Sequence, residues 1–589
     1  MKALATILFS CLIGTCGTPA TPDGKAAVLA GMEAASGPLL ERKLTDPFDG
    51  SSASGNYLAS QFAQRQHDWN AAGSFLDSVI RMSPDDTLLL SKAMVLAMGA
   101  GQPEKAVAIA KKVLAQEEKN VLALLFVATE HLRNKEYDAA AASIKEMPEG
   151  SLSEFILPLL ESWSQAGIGT YNIDALGTNT IHLYHATLIA NYMNKQDQID
   201  ALLQMALSAQ GLTLEDLDRI GDVYAHIGKI DKAMEIYSKT LEEWPDNPAI
   251  LKKINLLKAG KADSIFKPVA SPAEGIAQAM YDMARLLFQE YSDESARVFA
   301  NMALFIDPNM TDAELLMAHI TARNERVDDA IAYYQKVAPG NKSFLEARRL
   351  AAGLLEETKQ TERALAELES LFRDYNDLES LIEIGDIYRE HEDFEKAIGT
   401  YNRVQESLGN AVPKEYWHLL YVRGMSYEQM GQWEKAEADL KAALEFQPDH
   451  PFVLNYLGYA WADQGVNLKE SLELIRKAAA LRPEDGYIAD SLGWVLYRMG
   501  QHKEAVPHLE RAVELMPYDA VINDHLGDAY WRVGRKLEAR FQWLRAKNHS
   551  QDQKILTQID QKLDHGLQNV DIVKEARTQT GENPNILKP

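Results

Sequence analysis

Between 417 and 546 the chain alternates runs of Leu, Val and aromatic residues with small residues that return at a fixed interval. Gly424, Gly458, Gly493 and Gly527 stand 34, 35 and 34 positions apart. Ala436, Ser471, Ala505 and Ala539 keep the same register, as do Ala443, Ala478, Ala512 and Ala546. Prolines follow at Pro448, Pro483 and Pro517. Four series sharing one period predict one supersecondary unit repeated in tandem. Two antiparallel helices of about 14 residues, with short turns, fill such a unit. The small residues let the two backbones approach, and Leu and aromatic side chains fill the grooves beside them. Proline lacks an amide hydrogen and closes each unit. The one extra residue falls in a turn, 465–471 (GVNLKES), where an insertion costs little.

The register continues upstream in weaker form. Gly221, Tyr224, Ala233, Tyr237 and Pro245 make one unit. Ala284, Ala296, Ala303 and Pro308 make another, followed by Ala318, Ala330 and Tyr334. Gly385, Tyr388, Ala397 and Tyr401 make a third, and Ala72, Val79, Pro84, Ala106 and Ala140 carry the period to the start. About 12 or 13 units are expected between 53 and 550, with 151–179 and 345–377 degenerate. Residues 248–276 carry no clean repeat, so they predict a linker or hinge between sub-arrays at 53–247 and 277–550. A helix polar on one side is expected to cap the array over 551–580, before a tail at 581–589.

These small, aromatic and proline positions resemble the tetratricopeptide repeat (TPR). That resemblance implies an all-α fold, an α-solenoid in which helical hairpins stack into a right-handed superhelix. In such arrays the first helix of each hairpin lines a concave groove.

The N-terminus predicts export. Residues 1–16, MKALATILFSCLIGTC, place Lys2 before an apolar run too short to span a bilayer. Two processing sites are open. Residues 13–16 (IGTC) have the form of a lipobox, which would make Cys16 the lipid attachment site. Cleavage after Ala20 would release a soluble periplasmic protein instead. Residues 17–52, rich in Gly, Pro, Ser and Thr, then form a flexible tether.

Composition narrows the partners. Hydrophobic residues make up 46% and charged residues 25%, a globular rather than a disordered balance. The net charge of −25, with no basic stripe, excludes nucleic acid as an expected partner. Cys11 and Cys16 are the only cysteines, so the body of the protein has no disulfide and no thiolate chemistry.

No catalytic constellation emerges: there is no GxSxG, no GxxxxGK[ST], no HExxH and no dinucleotide fingerprint. His182 and His185 lie three apart without a third ligand at helical spacing, which reads as packing rather than metal binding. No metal or other cofactor is expected, and the chain reads as a non-enzyme.

Binding is therefore the expected activity. Helical spacing puts Asn455 with Tyr459, Asp490 with Trp494 and Tyr497, and Asp524 with Asp528 and Trp531 on one face, begun by Phe452 and Tyr487. This face is expected to be a partner-binding groove, its aromatics anchoring a peptide and its carboxylates taking Lys or Arg. The acids depart from the Lys and Asn of TPR domains that clamp chaperone C-termini. Residues 454–543, beginning LNYLGYAWADQG and including DSLGWVLYRMG and NDHLGDAYWRVG, resemble large bacterial outer-membrane TPR lipoproteins. That resemblance implies an envelope adaptor. Its partners would be a periplasmic carboxyl-terminal processing protease and cell-wall hydrolases, held on the periplasmic face of the outer membrane by a lipid anchor. The alternative is a TPR scaffold of an exopolysaccharide export or secretion complex.

Overall fold

A computed structural model describes residues 52–567, apart from 149, 210–211, 244–246 and 410. The signal with Cys16, nearly all of the expected tether, the end of the expected cap and the tail lie outside the described residues. The described chain forms 29 α-helices and no strand. No described helix is long and apolar enough to cross a membrane.

Most helices pair as hairpins, and the turn inside the hairpin has a common chemistry. After the first helix one residue takes a left-handed conformation: Gly431, Gly465, Gly500 and Gly534 in the regular repeats. The next amide then reaches back five residues, as Gln432 N to Tyr427 O and Arg535 N to Tyr530 O, both 2.9 Å. This closes the helix end by satisfying its free carbonyls. In the weaker upstream units Lys135, Glu325, Lys359 and Glu392 hold the same left-handed position despite their side chains.

Close approach explains the glycines of the first helices. A Cβ on Gly527 would stand 2.5 Å from the Trp543 indole, and one on Gly493 would meet Leu509 at 2.5 Å. Trp543 and Leu509 are fully buried, so each glycine makes room for the largest group of the facing helix.

The chain divides into two compact units, residues 1–347 and 348–589. The boundary is not at 248–276. That segment lies inside the first unit, where it forms helix Pro248–Lys258 and a short 3-10 turn, Ala262–Ser264. The hairpin that follows it, Pro272–Gln289 with Asp293–Ile306, packs on helices far back in sequence, Thr87–Gly99, Val121–Arg133 and Ser151–Gly167. One apolar cluster accordingly joins residues from Leu90 to Ile189 with residues from Ile276 to Ile320. Polar contacts tie the same elements: Arg297 Nε and Asn301 Nδ2 both donate to Gly99 O, at 2.6 and 3.1 Å. The hairpins from Leu183 to Leu257 hold a separate core.

The second unit is a plain succession of hairpins. Its regular end comprises Trp417–Gln429 with Trp433–Phe446, Pro451–Gln464 with Leu468–Leu481, Gly486–Arg498 with His502–Leu515, and Ala520–Arg532 with Lys536–His549. A last helix, Gln553–His565, covers the final hairpin.

Candidate functional site

The inner face of the second unit is built by the first helices of consecutive hairpins. Side chains of these helices reach across to the neighbouring repeat. Tyr456 OH donates to Glu428 at 3.3 Å. Arg498 donates to Asp463 O at 2.6 Å. His525 Nδ1 meets Asp490 Oδ2 at 2.8 Å, and Arg532 Nε donates to Tyr497 OH at 3.3 Å. The series ends where Lys562 of the last helix donates to Asp524 at 2.5 Å and Asp528 at 2.9 Å.

Aromatic stacking reinforces this ladder. The Trp494 ring lies nearly parallel to His525, 4.0 Å between centroids, and to Tyr497 at 4.9 Å. Burial opposes protonation of His525, but Asp490 overrides it and raises the imidazole above its ordinary pKa. When it carries the proton, the ring lies as a cation on the indole face, a favourable cation–π contact. Asp528 also accepts Trp543 Nε1 at 2.9 Å. Two carboxylates here share one ammonium. Burial and the Asp524 charge push Asp528 up to about 6, against the pull of Lys562. Lys562 is raised by the two aspartates despite its burial. Glu428 is pushed up to about 7, chiefly by burial.

The structure brings most of the expected groove residues together but does not leave them open. Asn455, Asp490, Trp494, Tyr497 and Asp528 are buried, between 1% and 6% exposed. They are joints between repeats rather than an open partner surface, because neighbouring first helices stand close enough to pair across the interval. Tyr459, Asp524 and Trp531 are half-buried. Asp524 already holds Lys562, and Lys536 Nζ sits 3.6 Å above the Trp531 ring. Tyr487 is half-buried and Phe452 is 38% exposed, so these two remain accessible.

Glu428, Tyr456, Asp463, Arg498, His525, Arg532 and Lys562 take part as well, and no motif marks them in the sequence. Lys562 carried a signal. Tyr459, Trp494, Asp528 and Lys562 follow at 35, 34 and 34 positions, so the capping helix repeats the register of a first helix.

A second polar centre lies in the first unit. Trp163 Nε1 donates to His185 Nδ1 at 3.0 Å, which fixes the proton on Nε2 for the 3.1 Å bond to Asp282 Oδ2. Arg219 Nη1 meets the other Asp282 oxygen at 2.8 Å. Four helices thus meet at one buried carboxylate, which Arg219 and His185 hold below the usual range although burial alone would raise it. His182 is buried too and bonds Phe155 O at 2.7 Å. Both histidines serve packing. A cleft of about 990 Å³ opens nearby, lined by residues that include Phe155, Leu183, Met205, Asp216 and Arg285.

Three family models match this architecture. Two described as tetratricopeptide repeat cover residues 417–450 and residues 94–151 and 491–552. The chain carries tetratricopeptide repeats. A third model, the second ARM domain of tetratricopeptide repeat protein 21, covers 172–325.

Among curated proteins, a TPR repeat-containing protein of Pseudomonas aeruginosa is 34% identical over 179 residues, 30% of this chain and 29% of that protein. Human Superkiller complex protein 3 is 32% identical over 133 residues, 23% of this chain and 8% of that protein. The chain therefore matches under a third of either relative's length. Among solved structures, a chain of the APC/C hetero-tetramer Cut9-Hcn1 is 13% identical, with a TM-score of 0.37 over 88% of this chain and 97% of that one. A tetratricopeptide repeat protein from Parabacteroides merdae is 16% identical, with a TM-score of 0.34 over 43% of this chain and 97% of that one. TPR arrays generally bind other proteins and are typically non-catalytic scaffolds.

Proposed function

We propose that this chain is an exported adaptor, lipid-anchored through Cys16, that brings a carboxyl-terminal processing protease and its cell-wall hydrolase substrates together in the bacterial envelope. The observation that supports a scaffold is the ladder across the inner face of the second unit. Cross-repeat bonds from Glu428 to Lys562 pre-organise the array, so a partner that docks on it bears little cost of ordering it. The accessible aromatics Phe452 and Tyr487 form the row on which a peptide would anchor. The envelope placement draws its support from the lipobox-like 13–16 and the resemblance of 454–543.

Affinity capture on mature protein, with identification of what is retained, tests the partner. Recovery of a protease with a hydrolase supports the adaptor, and loss of both in Phe452→Ala/Tyr487→Ala assigns them to this row. Capture of polysaccharide-export or secretion components alone would contradict it. Labelling cells with a fatty-acid analogue tests the anchor, with label expected on the native chain and absent from Cys16→Ser.

A further inference from the structure

The last outer helix, Lys536–His549, carries a row of large apolar side chains facing away from the array: Leu537 is 67% exposed, Phe541 59% and Leu544 45%. The row is peculiar to this repeat. At the same register the preceding outer helices carry Lys503, Pro507 and Glu510, then Lys469, Glu473 and Arg476. Leu537 and Phe541 lie off the surface on which a further repeat would stack, since Lys503 and Pro507 are exposed one repeat earlier, whereas Leu544 stands at its edge, where Glu510 bonds Tyr530 and Arg535 of the next repeat. The stacking register is held by Val506 and Val513 one repeat earlier, and in the last repeat it is held by Arg540 and Lys547.

We infer that this row is a contact between two copies of the chain, made by antiparallel packing of helix Lys536–His549 on itself about a two-fold axis at Phe541. The apolar spacing is four then three, Leu–Phe–Leu, and it reads almost the same in either direction. An antiparallel copy therefore sets Phe541 on Phe541 and Leu537 on Leu544, the seam of an antiparallel helix pair. The charges match the same axis. Glu538, which pairs with Arg535 in its own copy, adjoins Leu537, and Arg545, which donates to Pro517 O, adjoins Leu544, so the two-fold carries each Glu538 towards the Arg545 of the second copy. A lipid surface suits the row less well, because the neighbouring outer helix presents exposed Glu504 and Glu514 beside Lys503. Three side chains a copy fall short of the roughly 800 Å² per partner of a standard interface, so the dimer is weak and reversible.

The test uses the full chain with Cys11→Ser and Cys16→Ser, which leaves no native thiol and no lipid attachment. Sedimentation should show a monomer–dimer equilibrium that shifts with protein concentration. Leu537→Glu/Leu544→Glu should abolish it. Glu538→Arg should weaken it several-fold, and Glu538→Arg/Arg545→Glu should restore it. Phe541→Cys should oxidise to a covalent dimer, whereas Tyr291→Cys, at an 83% exposed position, should stay monomeric. A monomer at every concentration overturns the inference, as does a dimer indifferent to these substitutions. Binding of phosphatidylglycerol vesicles that is lost in the Leu537→Glu/Leu544→Glu chain, without cross-linking at Phe541→Cys, assigns the row to lipid and also overturns it. None of these outcomes bears on capture of protease or hydrolase.

Discussion

Lys562 stands 2.9 Å from Asp528, thirty-four positions after it in the chain, and so occupies the place of a first-helix residue in a repeat that is otherwise worn away. Its side chain is 18% exposed and its ammonium also bonds Asp524, so removing it leaves two largely buried carboxylates without a counter-charge. Lys562→Met is expected to cost about 3 kcal/mol in the unfolding of the second unit. Asp524→Asn/Asp528→Asn/Lys562→Met should regain most of that, since no charge is then stranded. Urea unfolding of the three chains measures the difference.

The Trp163–His185–Asp282–Arg219 centre does the same for the first unit, holding the hairpin from Pro272 onto the helices that carry Trp163, His185 and Arg219. Asp282→Ala strands Arg219 and should destabilise this unit by about 3 kcal/mol. Trp163→Phe keeps most of the ring volume and loses one bond, for about 1 kcal/mol. Denaturant melts followed in the first unit separate the two.

Glycine at 527 is a matter of space. Gly527→Ala drives a methyl into the Trp543 indole, which is fully buried, and is expected to cost about 1–3 kcal/mol. Trp543→Leu in the Gly527→Ala background should give back part of it, read as a partial recovery of melting temperature.

Much of this was legible beforehand in the regular repeats. Gly424, Gly458, Gly493 and Gly527 announced the hairpins because each abuts a bulky partner, a demand that only a small residue meets. Helical spacing groups Asp490, Trp494, Tyr497 and Asp528, but it does not show that they are buried. Burial there depends on the distance between neighbouring first helices, which a single helix pattern does not contain. The return of Pro272–Gln289 onto Ser151–Gly167 left no periodic mark, since Trp163, His185 and Asp282 pair across the chain rather than along it. In the weaker upstream units the left-handed turn falls on Lys135, Glu325 and Lys359, residues that conceal the position where glycine would reveal it.

Those concealed turns are testable. Glu325 holds φ of 59°, a conformation that costs a side-chain-bearing residue about 1 kcal/mol. Glu325→Gly should relieve more than the added chain entropy takes back, leaving the protein more stable by up to about 1 kcal/mol. A thermal melt reads this as a small rise, whereas the same change at Glu314, inside helix Thr311–Arg323, should lower it.

The second unit should weaken as pH rises from 6 to 8. Burial pushes Glu383 and Glu428 up to about 7, so each must give up a favoured proton in this range. His525 is raised by Asp490, and its contribution is full below its unfolded value and lost as pH climbs through the folded one. All three signs agree. Burial lowers His502 and His508, so the unfolded chain holds their protons more readily, and they oppose the trend until pH passes the ordinary imidazole value of 6.5. The melting temperature of this unit should therefore fall between pH 6 and 8, and Glu428→Gln should flatten the slope.

Amide exchange across residues 486–565 tests most directly whether the inner face is closed from within the chain by Lys562. The account predicts that Gln553–His565 is protected in the native protein, and that Lys562→Met abolishes this protection while Gly486–Arg498 keeps its own. Free exchange of Gln553–His565 in the native chain, or protection that survives Lys562→Met, would contradict it.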